Sequence, residues 1–287
     1  MGKRKISTTS FPIFRYNNIK KSLSYTILFI VVISVAMTII TASSTETDVN
    51  MIDNTELHIN YDSFNSLLQS FVNDSGTVDY HSIRNDPFNL DKFITFINNV
   101  SPENHPEQFS DPDAKAYWIN VYNALAIKTI IDNPDVNSIR EISWGMGAFW
   151  RNKFVVGGKK MTLNHIENKI LRVKYQDPRI HFAINCASNS CPPIGNRIVT
   201  GNNLDEQLDQ KAINFINDPV NVLIDHNNKE IYLSRIFKWF KKDFIKIHEN
   251  LLSFILNYRK DINIQQRADI INTYKIIYNK YDWSLNE

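Results

Sequence analysis

From Ala114 to Ile131 the sequence reads AKAYWINVYNALAIKTII, a helical stretch that is apolar on nearly every side. Trp118, Val121, Tyr122, Leu125 and Ile130 cover most of its circumference, and Asp111 or Asp113 is placed to cap it. A helix without a polar face must be surrounded, so the rest of the fold has to be built around this one. Two amides interrupt it. Asn120 and Asn123 are three residues apart and therefore neighbours, and Ala116 and Ala124 flank them in a narrow polar stripe. Buried amides must find partners. They either tie down the backbone of a neighbouring loop or line a binding site, and both readings stand at this point.

The remaining elements are shorter. Phe64, Leu67, Leu68 and Phe71 have helical spacing, Val78–Ile83 reads as a short strand or turn, and Leu90–Val100 as an amphipathic helix. Phe154–Val156 and Met161–Leu163 flank Gly157-Gly158-Lys159-Lys160 and predict a hairpin. A helix follows from Asn164 to about Arg172, with Asn164 and Glu167 spaced as a capping box. Asn203–Phe215 reads as a helix, VNVLID and EIYLS as two strands, and the stretch from Ile236 to Tyr258 as one long helix packed by Phe237, Trp239, Phe240 and Phe244. The expected fold is a single α+β globular domain with a buried central helix and a small sheet, spanning residues 58–287. That length is enough for one real core.

The densest chemistry lies between residues 179 and 193. Arg179–Asn185 reads as a strand, which places Arg179, His181, Ala183 and Asn185 on one polar face. Cys186 and Cys191 follow in a loop that ends in Pro192-Pro193. His181 is suited to act as a general base, with Glu167 or Arg179 positioning it, and Cys186 is a candidate nucleophile if a neighbour lowers its pKa. The bland readings are a cap for Glu167, a core position for His181, and an inert thiol or a Cys186–Cys191 disulfide. No metal motif, phosphate loop or serine elbow is present, and no cofactor is expected.

Charge is divided unevenly. Residues 1–42 carry six basic side chains and no acidic one, whereas residues 43–287 carry 26 basic against 30 acidic, a net of −4. The domain thus lacks the basic footprint of a nucleic-acid binder. Leu23–Ala42 runs for 20 residues without a charge, enough for a helix to cross the hydrocarbon core of a bilayer. The basic residues before it (1–22) predict a cytoplasmic N-terminus, a membrane helix over 23–42, a polar tether over 43–57 and an extracytoplasmic domain. The alternative is a signal peptide cleaved near Ala42.

AYWINVYNALAIKTI, the FW…FVVGG hairpin, LNHIENKILR, DPRIHFAINCASNSCPP and LSRIFKWFKKDF occur in order from about Lys115 to Phe244. Together they resemble the domain-of-unknown-function 547 family, whose signature positions include Glu167, Arg179, His181, Cys186 and the Ser-Cys-Pro segment. The resemblance implies a recognisable domain, often exported in bacterial members, and no known activity. The expected function is therefore an uncharacterised envelope domain. It is either a hydrolase or acyl transferase using His181, Glu167 and Cys186, acting on an unnamed substrate, or a non-catalytic binding or assembly domain for an envelope partner.

Overall fold

The computed structural model describes residues 61–287 apart from 144 and 247. The basic segment, the apolar 23–42 stretch, the tether and the first residues of the predicted domain lie outside the described residues. Among the described residues no helix is long and apolar enough to cross a membrane.

The described part is a mixed α+β domain. Helices α1 (Asp62–Phe71), α2 (Tyr80–Asn85) and α3 (Phe88–Asn99) precede the central α4 (Asp111–Ile131). Ser110, rather than an aspartate, caps α4: its Oγ accepts from Asp113 N at 3.3 Å, and Pro112 sits in the first turn. From Ala116 to Ile127 every residue of α4 is buried, as its lack of a polar face requires. Phe64 and Phe93, stacked at 4.8 Å, pack in the same core as Trp118.

A short helix α5 (Gly147–Arg151) leads to a hairpin of β1 (Phe154–Val156) and β2 (Lys159–Met161) in the register Phe154↔Met161. Its turn is only Gly157-Gly158, both at positive φ, so Lys159 and Lys160 belong to the strand and not to the loop. A Cβ on Gly157 would lie 2.1 Å from Ser101 Oγ, so the first turn position admits only glycine.

The next helix differs from the expected one. Thr162 caps it, accepting from His165 N at 3.1 Å, so α6 (Leu163–His165) starts before Asn164 and Glu167 has no capping duty. It continues as a π-helix over Ile166–Tyr175, a rare form that is frequent at functional sites. The expected strand Arg179–Asn185 is instead a 3₁₀ turn, Pro178–Phe182. Asp177 accepts from Arg179 N at 3.0 Å and Pro178 fixes the first φ, which starts a helical turn where the alternation suggested a strand. Ile180 and His181 to Asn185 are all buried, so no polar face survives.

Helix α7 (Leu204–Asn217) leads to a three-stranded sheet ordered β3 (Val222–Asp225), β4 (Glu230–Leu233), β5 (Lys275–Tyr278). The first pair is antiparallel and the second parallel. The predicted long helix from Ile236 breaks into α8 (Arg235–Trp239), α9 (Lys241–Phe244) and α10 (Leu251–Asn257), followed by α11 (Ile264–Thr273). Breaks on both sides of α9 let Phe237 and Phe244 enter a second core while Trp239 stays 44% exposed. Phe182 joins that second core, whereas Ile180 belongs to the core around α4. The 3₁₀ turn thus links the two.

Candidate functional site

The two amides of α4 set the site up. Asn120 donates Nδ2 to Val199 O at 2.7 Å and accepts from Val199 N at 3.0 Å. Asn123 donates to Ala183 O at 2.9 Å and accepts from Asn185 N at 2.8 Å. Each clamps both backbone groups of a passing segment, as a strand would. Neither is among the residues lining the main pocket, so the tie-down reading describes their contacts. Asn123 fixes the backbone immediately before Cys186.

From there the loop closes on itself. Asn185 donates Nδ2 to Pro192 O at 2.8 Å and accepts from Ala187 N at 2.6 Å, and Ala187 takes a left-handed φ of 60°. The C-terminal segment lies along the loop: Asn189 N donates to Ser284 O at 2.8 Å and Asp282 N to Ser190 Oγ at 2.9 Å. Both cysteines are free thiols, with sulfurs 2.7 Å apart. Cys191 Sγ accepts from Cys186 N at 3.1 Å and lies 3.3 Å from Ser188 Oγ and 3.1 Å from Tyr281 OH. Burial opposes ionisation, but the hydrogen bonds from Cys186, Ser188 and Tyr281 overcome it and hold the Cys191 thiol below the usual range. Donation to Cys191 and burial push Cys186 well up. Of the two sulfurs, Cys191 is thus the one whose thiol is held down and Cys186, singled out from the sequence, the one whose thiol is pushed up.

Glu167 lies on the π-helix with its Oε2 3.3 Å from Tyr122 OH. Burial pushes its carboxyl up to about 7, against the pull of Arg172 and of Tyr122. His181 does not pair with Glu167. Its Nε2 lies 2.8 Å from Asp243 Oδ2, and its ring stacks on Phe240 at 3.9 Å. Asp243 also takes Arg172 at 2.6 and 3.0 Å, and these partners hold its carboxyl below the usual range although burial opposes it. Burial lowers the His181 pKa against the opposing pull of Asp243, and Nδ1 has no hydrogen-bond partner. No hydrogen bond joins His181 to either thiol. Arg179 is elsewhere: it bridges Asp177, Asp205 and Asp209 at 2.8–2.9 Å, and Lys115 joins Asp177 at 2.8 Å. That cluster braces the 3₁₀ turn.

Glu167, His181, Cys186 and Cys191 nonetheless meet on one pocket of about 540 Å³. Phe149, Trp150, Trp239, Phe240, Tyr281 and Trp283 give it an aromatic wall. Trp150, Trp239 and Met146 are 61, 44 and 42% exposed, so its mouth is open and apolar. Arg140, which also lines it, lies 5.2 Å over the Trp283 ring and has no carboxylate partner among the described residues. Among the described residues no group of His, Cys, Asp or Glu is arranged to hold a metal ion. Asp243, Tyr281 and Trp283 were missed from the sequence. Asp243 and Tyr281 stand 62 and 90 residues beyond their partners His181 and Cys191, Trp283 packs on Tyr281, and nothing local marks them.

A model of the family described as "Protein of unknown function, DUF547" matches residues 106–216. No curated protein and no solved structure matches the chain. The matched span includes α4, the π-helix and the thiol loop, whereas Asp243 and the aromatic wall from Trp239 onward lie beyond it.

Proposed function

We propose that this protein is a thiol-dependent hydrolase or acyl transferase held at the cell envelope, with Cys191 as nucleophile and Glu167 as general acid. The observation that carries the reading is one wall of one pocket: a sulfur supplied with three hydrogen-bond donors stands on it together with a carboxyl that burial keeps protonated near neutrality. An open pocket at this place, rather than a filled core, favours an enzyme over an assembly domain.

The Cys191 thiolate attacks the carbonyl carbon of an ester, thioester or amide, forming a C–S bond. As the bond to the leaving group breaks, Glu167 gives that group its proton. The carboxylate left behind takes a proton from the water or acceptor that then releases the acyl group. Cys191 needs no histidine as its base, because its hydrogen-bond donors stabilise the thiolate once the proton has gone to solvent; His181 is a positioning residue that bonds Asp243 and stacks on Phe240 of the wall. The aromatic lining suits an apolar acyl group, and Arg140 suits a negative charge on the substrate.

A panel of p-nitrophenyl acyl esters tests this. Turnover with an acyl adduct on Cys191 in the intact-protein mass is the expected result, lost in Cys191→Ser. A protein that turns over none of the panel and carries no adduct is inert as an acyl enzyme. Arg140→Gln should raise KM about fivefold for esters with a terminal carboxylate and leave neutral esters unchanged.

The anchor is part of the same proposal. It rests on the uncharged 20 residues from Leu23 and the six basic residues before them. Protease added to intact spheroplasts should remove the domain and spare the N-terminus. A protected domain reverses the topology, and a mature N-terminus at Ser43 means a cleaved signal.

A further inference from the structure

Acyl transfer uses one thiol and leaves the second without a task. Yet the fold brings the second into contact with the first at 2.7 Å and surrounds both with the same two hydroxyls. Ser188 Oγ lies 3.2 Å from Cys186 and 3.3 Å from Cys191, and Tyr281 OH 3.8 and 3.1 Å from them. The loop is closed at its base by Asn185 and gripped from outside by the C-terminal segment, so this contact is built by groups from three parts of the chain. Both sulfurs stand on the wall of an open pocket. The two are unequal: Cys191 receives the donors, including the backbone N–H of Cys186, while Cys186 gives.

We propose that Cys186 and Cys191 form a dithiol–disulfide couple, and that the pocket has a thiol–disulfide exchange activity toward small open-chain disulfides. Cys191 attacks one sulfur of the bound disulfide; an S–S bond forms to the protein and the first thiolate leaves. Cys186 then gives up its proton to solvent and attacks Cys191 Sγ. The intramolecular S–S bond forms, the mixed disulfide breaks, and the second thiolate departs. The substrate disulfide is reduced by two electrons to two thiols, and the protein dithiol is oxidised by the same two. Unequal donors give attacking and resolving sulfurs their separate roles. The inference shares Cys191 with the acyl-transfer reading but does not rest on it.

The test uses the full-length protein, reduced, in detergent, with glutathione disulfide as probe. Wild type should release two equivalents of glutathione and lose two hydrogens in mass, with no adduct retained. Cys186→Ser should stop at one glutathione on Cys191, and dithiothreitol should restore the reduced mass. Tyr281→Phe, which keeps both thiols and the ring, should slow the first step about tenfold. Three results would overturn the proposal: a stable glutathione adduct on wild type, no reaction with the disulfide while iodoacetamide still alkylates Cys191, or a disulfide that dithiothreitol cannot open in the native protein. Ester turnover is read separately. It is measured on the reduced wild type with the ester panel, where turnover without disulfide exchange, or exchange without turnover, lets either reading fail without the other.

Discussion

Glu167 and Cys191 are needed in opposite protonation states. Cys191, whose thiol is held down, must have lost its proton, while Glu167 must still hold its own, below about 7. Acyl turnover should therefore follow a bell in kcat/KM whose alkaline limb reports Glu167. Glu167→Gln should remove the alkaline limb and lower the plateau about 100-fold, which a pH–rate profile reads. Stability gives an independent check. A carboxyl raised from 4.5 to about 7 binds its proton more tightly in the folded state, so its stabilising effect is complete below pH 4.5 and fades as the pH rises through 7. Between pH 5 and pH 8, Glu167→Gln should lose less stability than wild type, by roughly 1–3 kcal/mol in urea unfolding. His181 has the opposite sign. Its depressed pKa makes it cost stability as pH falls below the ordinary 6.5. At this scale the sequence singled out Glu167, His181 and Cys186, which the fold brings to one pocket, but not the partners that set their pKa values. Glu167 was visible as a carboxyl and its burial was not. Which of two cysteines is the acidic one depends on where Tyr281 lands, and spacing carries no trace of that.

The helices and the hairpin were legible because each follows from a local rule: apolar spacing, a capping side chain, two consecutive glycines. The 3₁₀ turn was misread because Ile180, Phe182 and Ile184 alternate as in a strand, while the Asp177-Pro178 start that overrides the pattern looked like a mere boundary. The π-helix was not foreseeable, since its extra residue per turn is set by packing against α4 and by Arg172 reaching Asn168 and Asp243. What the two amides of α4 do was left open by the sequence, and their contacts make them clamps. Asn123→Ala would leave Asn185 N–H and Ala183 C=O buried without partners, at a cost of roughly 2–4 kcal/mol in chemical unfolding. It should also raise the pH midpoint of Cys191 alkylation, because the loop that aims Cys186 N at the sulfur is then loose. Unchanged alkylation would mean that the loop holds itself.

At the scale of the whole molecule, the matched block does not pack as a unit by itself. Phe182 packs against Phe215 at 5.1 Å, but also against Phe244 and Phe254 at 5.7 and 6.3 Å, and these lie past the end of the matched span. A fragment of residues 106–216 should therefore expose its half of the second core and show broad, non-cooperative melting by circular dichroism. Removing only residues 279–287 is milder. It takes Tyr281 and Trp283 from the pocket, and Asn286 from its contacts with Val78 N and Tyr80 OH at 2.8 and 2.7 Å. That variant should stay folded, melt several degrees lower, and alkylate at Cys191 with a midpoint shifted up by about one pH unit.

The segment that closes over the thiol loop is made well after it, since Tyr281 stands 90 residues beyond Cys191. Until Tyr281 has left the ribosome, Cys191 lacks the phenol that stands 3.1 Å from it, and the pocket lacks the Trp283 wall. A chain that stops short of Tyr281 should thus hold both cysteines without the phenol and the indole that stand at the pocket here, and alkylate at Cys191 more slowly than the longer chain.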